Sequence, residues 1–367
     1  MPKNKKNIIF FMPFIDRGGV EKNLIIIANY LSKRISNIKI CSLSRDKKNK
    51  FDKKIEFISP QIKLSSKLNI RIKYLICLFS LLKFLLNNKN TIVFTFQANI
   101  YCVLLCKLFN IKVIVRSNTS PSGWDHSFFK KFIYKYAMSY SDKIIVNSLE
   151  FQQQMKKKLN LKTQCIFNPL NVSEILKKSK IKNKQNFFKK TNSLKLINIG
   201  RFTDQKDQIT ILKAANILKK NLKFELIILG YGKKKNELVN YVKDHNLSKF
   251  VKITNILNPY KVLSQSEVFI LSSKYEGLPN VLLEAIVLKK FIISTNCPTG
   301  PKEILLNGKG GLFFKAGDYK DLSNKILFYS KNKRKMKKKI SVSFKGLKRY
   351  DFKKNLKKYQ SLITDLI

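Results

Sequence analysis

Acidic residues and histidine are scarce in this sequence. The 367 residues include 22 Asp and Glu against 74 Lys and Arg, a formal net charge of +52, and only two histidines. Such an excess of cations would attract polyanions or an anionic membrane surface. It is equally explained by the codon bias of an AT-rich genome, because the chain is also rich in Asn and Ile. The lysines are dispersed without an aromatic-plus-basic repeat, which argues against a nucleic-acid partner.

Metal-ligand patterns and paired cysteines are also missing. The sequence contains no Asp-x-Asp and no Cys-x-x-Cys, and no histidine lies near its cysteines. Buried, unpaired thiols are therefore predicted, as expected for a reducing compartment such as the cytoplasm. The six cysteines are Cys41, Cys77, Cys102, Cys106, Cys165 and Cys297.

Long hydrophobic runs are absent as well. The longest, Tyr74–Leu86, includes Lys83 and falls short of the ~20 residues that span a bilayer. Within Ile70–Leu86, the cations Arg71, Lys73 and Lys83 accompany a long apolar face. This pattern fits either an interfacial helix on the inner face of a membrane or a core helix with a solvated edge.

The N-terminus imitates a signal peptide, since basic residues 1–7 precede the apolar run Ile8–Ile15. Asp16 and Arg17 follow that run, and no small-residue cleavage site does. A first buried strand is the better interpretation of Ile8–Ile15.

Short apolar runs alternate with helical patterns along the whole chain, which predicts parallel sheets covered by helices on both faces. At ~150 residues per domain the length suits two α/β domains. The predicted strands of the first domain are Ile8–Phe14, Ile38–Leu43, Ile92–Phe96, Val113–Arg116 and Lys143–Asn147. Those of the second are Leu194–Ile199, Phe224–Leu229, Phe250–Ile253, Val268–Leu271 and Phe291–Thr295.

A polar stretch rich in Lys and Asn, Lys177–Ser193, marks the predicted domain boundary. We therefore expect a first domain over residues 1–180 and a second over residues 181–345. After a dense basic run at Lys331–Lys339, the segment Tyr350–Leu366 predicts a final helix.

A glycine pair directly follows the first predicted strand. Gly18 and Gly19 lie in the run Asp16–Glu21, where backbone N–H groups would face a ligand at a helix start. An ordinary strand-to-helix turn, with Glu21 favouring the helix N-terminus, explains the pattern as well.

Two cations follow the first strand of the second domain. Arg201 could bind a phosphate through its forked guanidinium, and Lys206 could add a point charge. Ligands bind at the carboxyl ends of strands in open α/β sheets. In a lysine-rich chain, two solvated surface cations are the alternative.

Two acids lie seven residues apart in the segment Glu276–Glu284. Pro279 suits the first turn of a helix, so the N–H groups of residues 278–281 would face an anion. Glu276 would precede that helix and Glu284 would lie inside it, which lets them reach opposite ends of one ligand, such as a sugar and a ribose. Alternatively, they are a loop acid and a helix-surface acid.

Further turns fall at strand ends. Gly230 and Gly232 follow one predicted strand, and Cys297–Ile304 follows another, with Glu303 placed as a helix-dipole partner. All of these features of the second domain share the carboxyl edge of its sheet, which is stronger evidence for a site than any single motif.

Together these residues resemble the retaining glycosyltransferases of family 4, which have the GT-B fold of two Rossmann-like domains whose parallel sheets face a cleft. The resemblance is strongest over Leu194–Asp318. It is carried by Gly-Gly-Val-Glu at Gly18–Glu21, Ile-Gly-Arg at Ile199–Arg201 with Lys206, Leu-Gly-Tyr-Gly at Leu229–Gly232, and Glu-x7-Glu at Glu276–Glu284.

The resemblance implies a role for each motif. Arg201 and Lys206 would hold the donor diphosphate, Glu284 the ribose hydroxyls and Glu276 the transferred sugar. Leu278, Pro279, Asn280 and Val281 would supply the donor-binding helix start, while Gly230–Gly232 and Ile253–Leu257 would line the nucleotide base. Gly18 and Gly19 would flank the donor phosphate and the acceptor. The final helix, within residues 346–367, would cross back onto the first domain.

The chemistry that the resemblance implies is transfer with retention, without a metal or other cofactor. Asn296–Leu305 resembles members that move N-acetylhexosamine from a UDP-sugar onto surface-glycan or polyprenyl-diphosphate-linked acceptors. Many relatives place a histidine beside the reacting sugar, and His126 is the only histidine of the first domain. The turn at Arg116–Asn118 is an alternative occupant of that place.

Two other functions compete with this interpretation. A GT-B-shaped sugar-nucleotide epimerase would need an acid–base pair, for which the sequence offers few candidates. A basic protein that binds polyanions or membranes would gain nothing from Glu276 and Glu284. A cytoplasmic glycosyltransferase therefore remains the main hypothesis.

Overall fold

The computed structural model describes residues 6–16, 18–60, 69–118, 128–181, 186–189 and 192–367. They form two compact units, each with its own parallel sheet. Unit 1 comprises the described residues up to Pro169 together with Lys353–Ile367, and unit 2 comprises Leu170–Phe352. No helix in the described part of the chain is both long and apolar enough to span a membrane.

The sheet of unit 1 has strand order β3-β2-β1-β4-β5-β6-β7, and all its described pairings are parallel. Its strands are β1 (Asn7–Phe11), β2 (Ile38–Cys41), β3 (Glu56–Ile58), β4 (Thr91–Thr95), β5 (Lys112–Arg116), β6 (Lys143–Val146) and β7 (Gln164–Cys165). Its helices are α1 (Gly19–Leu31), α2 (Ile70–Leu86), α3 (Asn99–Leu108), α4 (Phe128–Ser139), α5 (Leu149–Leu159) and the C-terminal α14 (Phe352–Thr364).

Strand side chains alternate between the two faces of this sheet, and helices cover both faces. Ile9, Phe11 and Val93 pack in one core with α2–α5. Phe94 instead lies against Tyr359 of α14, with ring centroids 6.2 Å apart. Burial on both sides explains why these strands are continuously apolar.

The sheet of unit 2 has strand order β10-β9-β8-β11-β12-β13 and is also parallel throughout its described pairings. Its strands are β8 (Leu194–Ile199), β9 (Phe224–Leu229), β10 (Val251–Thr254), β11 (Val268–Leu271), β12 (Phe291–Thr295) and β13 (Leu312–Phe314). Its helices are α6 (Val172–Ser179), α7 (Gln208–Leu218), α8 (Lys235–Asp244), α9 (Pro259–Gln265), α10 (Asn280–Val287), α11 (Pro301–Ile304), α12 (Tyr319–Lys331) and α13 (Lys333–Gly346).

The division between the units lies at 169/170, eleven residues before the expected 180/181. The reason is α6, which packs against α9 and α10 and so belongs with unit 2. At the other end, the bridge between Leu170 and Asp351 keeps the chain in unit 2 beyond the expected residue 345.

Candidate active site

The candidate site lies in unit 2, where β8 and β11 are neighbours in the sheet. The strands that follow β8 in sequence extend the sheet to one side, and the strands from β11 onward extend it to the other. Such a switch point leaves a crevice at the carboxyl ends of the two central strands, where open α/β sheets bind ligands. Arg201 and Lys206 follow β8, and Glu276 follows β11.

An ion pair joins these two loops. The Lys206 Nζ lies 2.5 Å from Oε1 of Glu276, and the two side chains are 18% and 7% exposed. A charge pair this well buried strongly constrains both groups, because either charge left alone would be poorly solvated. Two residues that the sequence assigned to one ligand are thus in direct contact.

Hydrogen bonds fix the backbone on both sides of this pair. The Ser272 hydroxyl donates to the carbonyl oxygen of Lys206 at 2.7 Å, and the Lys274 amide donates to that of Gln205 at 2.8 Å. The Gln205 side chain in turn donates to the carbonyl oxygen of Tyr275 at 2.9 Å. The pair therefore sits on two loops that are joined by hydrogen bonds to each other's backbone carbonyl oxygens.

A third loop, after β12, holds Glu276 from the other side. The Thr299 hydroxyl donates to the carbonyl oxygen of Glu276. Thr299 has φ +64° and Gly300 has φ +78°, and a Cβ at Gly300 would fall on the carbonyl oxygen of Gly277. A β-branched residue at positive φ is unusual, and strain of this kind concentrates at functional sites.

Helix α10 begins at Asn280, so Pro279 is its N-cap and not the first-turn residue that the sequence predicted. Pro279 has ψ +100°, an extended conformation that cannot continue a helix. The N-cap side chain makes no capping hydrogen bond. Leu278 is 6% exposed, while Asn280 and Val281 are half-buried in the first turn.

Glu284 is half-buried at the fifth position of α10, and its Oε1 accepts a hydrogen bond from the Tyr260 hydroxyl at 3.1 Å. Tyr260 is 9% exposed and lies at the start of α9, which Asn258 caps. The two acids of the Glu-x7-Glu pattern therefore have different surroundings: a lysine for Glu276 and a tyrosine for Glu284.

The glycine turn after β9 packs directly on the loop after β8. The Gly200 amide donates to the carbonyl oxygen of Leu229, and the Phe202 amide donates to that of Tyr231. A Cβ at Gly230 would fall on the carbonyl oxygen of Gly200, so only glycine fits there. Gly232 lies in the same turn, and the Gly230 amide binds the carbonyl oxygen of Thr254, at the start of the segment predicted to line a base.

Arg201 is exposed and has no acidic partner among the residues that the structure describes. Its carbonyl oxygen accepts a hydrogen bond from the Gln208 side chain at 3.0 Å, which fixes its backbone and leaves the guanidinium in solvent. Of the two predicted phosphate ligands, one is therefore paired and one is solvated.

Gly18 and Gly19 lie in unit 1, as the N-cap and first residue of α1. Glu21, predicted to favour this helix start, lies in its first turn and is buried. His126 lies outside the described residues. Arg116, the other candidate for its place, is completely buried, and its guanidinium donates to Tyr359, Asn168 and Asn118.

Among the cysteines, five are buried, Cys165 is half-buried, and all six are free, as predicted. Burial, followed by the nearby Glu276 carboxylate, raises the pKa of Cys297 to about 12. This thiol stays protonated at neutral pH and cannot act as a nucleophile there. Among the described residues, no group of three or more His, Cys, Asp or Glu is arranged to hold a metal.

The structure thus brings Lys206, Glu276, Pro279 and the turn Gly230–Gly232 to one sheet edge, as the sequence predicted. It adds Gln205 and Tyr260, which sequence reasoning missed. It also adds the contact of Thr299 with Glu276, which the turn predicted at Cys297–Ile304 did not include. The Asn258-Pro259 helix start gave a signal for Tyr260, because an N-cap and a first-turn proline place the next residue on α9. Gln205 and Thr299 act through backbone contacts between distant loops, for which a single sequence has no signal.

These units define the GT-B fold. The chain resembles the Anabaena protein Alr3699/HepE, solved in complex with UDP, with a TM-score of 0.75 and 14% identity over 98% of this chain and 100% of that one. Residues 178–343, which contain the candidate site, match the family model for group 1 glycosyl transferases.

Curated relatives are also named as glycosyltransferases. An uncharacterized glycosyltransferase of Methanocaldococcus jannaschii is 36% identical over 222 residues, 55% of this chain and 53% of that protein. A Campylobacter jejuni enzyme is 26% identical over 225 residues, 58% of this chain and 59% of its own length. It is named as an N-acetylgalactosamine-N,N'-diacetylbacillosaminyl-diphospho-undecaprenol 4-alpha-N-acetylgalactosaminyltransferase. These alignments span little more than half of either relative.

Proposed function

We propose that this protein is a retaining glycosyltransferase that moves an N-acetylhexosamine from a UDP-sugar onto a lipid-linked or surface-glycan acceptor. Unit 2 binds the donor and unit 1 the acceptor. The observation that carries the proposal is the Lys206–Glu276 pair at the β8/β11 switch point, beside the start of α10. The family match over residues 178–343 and the names of the relatives support the reaction class.

The donor diphosphate is held by charge and by a helix start. Arg201, solvated and without an acidic partner among the described residues, forks onto one phosphate, and Lys206 turns toward the other. The N–H groups at the start of α10 add their partial positive charge. These groups stabilise the charge that develops on the departing diphosphate, which lowers the barrier to leaving.

The two acids bind the neutral parts of the donor. Glu284, five residues into α10 and hydrogen-bonded to Tyr260, accepts from the ribose hydroxyls. Glu276 accepts from hydroxyls of the transferred sugar, and its contact strengthens as positive charge builds on the ring. Leaving group and acceptor meet the same face of the sugar, so the anomeric configuration is retained.

A screen of nucleotide sugars tests this assignment. We expect UDP and one UDP-N-acetylhexosamine to raise the thermal unfolding midpoint, and Arg201→Ala to abolish most of that shift. Proton NMR of the product made with an acceptor alcohol should show an α-anomer from an α-linked donor. An inverted anomer would exclude retention, and an epimerised sugar formed without acceptor would identify an epimerase.

We also propose that transfer needs no metal. Arg201, Lys206 and the α10 start supply positive charge where a metal would otherwise bridge the phosphates. Activity should survive dialysis against EDTA unchanged. Loss of activity that magnesium or manganese restores would contradict this proposal.

The reaction is assigned to the cytoplasm, since six free thiols suit a reducing compartment.

A further inference from the structure

Helices α2, α3 and α4 of unit 1 lie side by side, with α3 in contact with both of the others. Their inner sides pack on the sheet through Cys77, Leu81, Cys102, Cys106 and Met138, all of them buried. The outer side of the three helices is called the three-helix face here. The side chains of this face are not part of the unit 1 core, which contains the buried residues of the inner sides.

Each helix carries an exposed apolar stripe on this face, with residues spaced three, four or seven apart. The members are Ile72, Leu75, Phe79 and Leu86 in α2, Tyr101, Leu104 and Leu108 in α3, and Phe129, Phe132 and Tyr136 in α4. Phe79 is 67% exposed, Leu108 78% and Phe129 70%. Residues at these spacings share one side of a helix, so the exposed groups form stripes and are not scattered.

The apolar side chains are concentrated here. With Ile70, the three helices hold eleven of the nineteen large apolar side chains that are exposed among the described residues. Single exposed apolar groups are normal on a protein surface, whereas contiguous ones mark a surface that another partner covers.

Cations accompany every stripe. Arg71, Lys83, Lys107 and Lys135 are exposed, and each lies three or four residues from a stripe member. None of the three helices contains an acidic residue. The face therefore combines exposed apolar groups with positive charges and no negative ones.

We propose that the three-helix face docks on an anionic lipid bilayer. Apolar side chains enter the boundary between head groups and acyl chains, while lysine and arginine pair with lipid phosphates. A second copy would oppose like charges across a two-fold interface, which disfavours a dimer through this face. A nucleic acid would satisfy the cations but leave the stripes uncovered. The proposal is independent of the reaction, since vesicle binding needs no substrate.

The test uses the full-length protein and sedimentation with two kinds of vesicle, pure phosphatidylcholine and phosphatidylcholine with phosphatidylglycerol. We expect binding to the anionic vesicles that weakens at high salt. The triple variant Phe79→Glu, Leu108→Glu, Phe132→Glu should reduce binding at least tenfold. Phe328→Glu, which changes a 47% exposed side chain of unit 2, should leave it unchanged.

Charge is tested separately from apolar contact. Lys83→Ser with Lys135→Ser should weaken binding about 30-fold, since each cation near an anionic surface contributes about fivefold. Lys337→Ser with Lys338→Ser makes the same change of net charge on α13 and should have little effect. Equal losses in the two double variants would overturn the proposal, because net charge alone would then explain binding.

Two further outcomes would also overturn it. Wild-type protein that does not pellet with anionic vesicles at low salt has no such docking surface. A wild-type dimer that the triple variant converts to a monomer, seen by sedimentation velocity, would show that a second copy covers the face. An unchanged thermal unfolding midpoint of the triple variant serves as the check that unit 1 is folded, and its loss of vesicle binding then supports the proposal.

Discussion

At the scale of single residues, the central feature of the site is a lysine paired with a carboxylate. Lys206 contacts Glu276, whereas Arg201 faces solvent. If Lys206 binds a phosphate, it must share or exchange its carboxylate partner. The pair thus links donor binding to the placement of Glu276, the residue assigned to the transferred sugar.

Removing the lysine should destabilise the fold because Glu276 is left buried without its counter-ion. We expect Lys206→Met to lower the free energy of unfolding by between about 1 and 3 kcal/mol. Lys178→Met is the matched control, since Lys178 and Glu174 are also 2.5 Å apart but are 46% and 38% exposed. That change should cost below about 1 kcal/mol. Urea unfolding measures both.

The double variant Lys206→Met, Glu276→Gln distinguishes two causes of the lost stability, an unpaired charge and altered packing. It should recover part of the stability, because the unpaired charge is gone. A double variant that is less stable than Lys206→Met would mean that packing and not charge explains the effect.

The two acids should divide their work between nucleoside and sugar. Glu284→Gln should weaken free UDP by about ten- to a hundredfold, since a carboxylate that accepts hydroxyl hydrogen bonds contributes ~1.5–3 kcal/mol. Glu276→Gln should preserve UDP affinity, and release of Lys206 from its partner favours tighter binding. Its turnover should fall, because the lost contact strengthens in the transition state.

Calorimetry with UDP, alongside the rates of both variants, measures this division. The opposite pattern, in which Glu276→Gln loses UDP affinity and Glu284→Gln keeps it, would contradict the placement of α10 along the nucleoside.

At the scale of elements, the sequence predicted the central strands best. The bounds of β8, β9, β11 and β12 agree with the prediction at every residue, because each is mostly apolar and is bounded by polar residues or glycine. The strands β3, β7 and β13 were missed. They are two or three residues long, and a run that short carries no period.

The order of the strands in the sheet was the second feature that the sequence could not predict. Lys206 and Glu276 are 70 residues apart, and they meet only because β11 pairs with β8. A single sequence predicted that both residues lie at the carboxyl edge, but not that their strands are neighbours. Contacts between loops, such as Thr299 with Glu276, depend on the same information.

The loop after β12 should be the least tolerant element of the site. Gly300→Ala should lower the free energy of unfolding by at least about 2 kcal/mol, since the added Cβ meets the Gly277 carbonyl at an unfavourable φ. Gly317→Ala is the control: its φ of +77° nearly matches +78°, but no atom lies within 4 Å of the added Cβ. It should cost about 1 kcal/mol.

Gly300→Ala should also weaken UDP binding, because displacing Gly277 moves Glu276 and the start of α10. Urea unfolding and calorimetry with UDP measure the two effects. Equal stabilities of the two alanine variants would show that the loop relaxes freely. The proposal that this loop holds Glu276 in place would then be wrong.

At the scale of the whole molecule, the C-terminal segment packs with the N-terminal part of the chain in unit 1. Unit 1 includes Lys353–Ile367, so its fold closes only after unit 2 has been traversed. Lys6 and Lys112 both donate to the carbonyl oxygen of Leu366, at 2.9 and 3.0 Å. Helix α14 buries Leu356, Tyr359, Leu362 and Ile363. The C-terminal segment is therefore part of the unit 1 core.

The strongest polar contact of α14 should be the one made by Arg116. This guanidinium is completely buried, and its described acceptors are the neutral oxygens of Tyr359, Asn168 and Asn118. No carboxylate among the described residues pairs with this buried guanidinium. Each neutral acceptor therefore does more to replace the water that the charge loses on burial. Tyr359→Phe removes the acceptor of Nε, which lies 3.1 Å from the hydroxyl, and should cost about 2 kcal/mol of unfolding free energy.

Tyr30→Phe, in α1, provides the matched comparison, because the Tyr30 hydroxyl also contacts α14. The Tyr30 hydroxyl donates to Oε1 of Gln360 at 3.3 Å in a half-buried place, where water can replace it. Its removal should cost below about 0.5 kcal/mol. Hydrogen exchange of the α14 amides should speed up in Tyr359→Phe and stay unchanged in Tyr30→Phe, since opening of this helix requires release of the guanidinium. Equal exchange rates in the two variants would show that Arg116 does not hold the end of the chain in place.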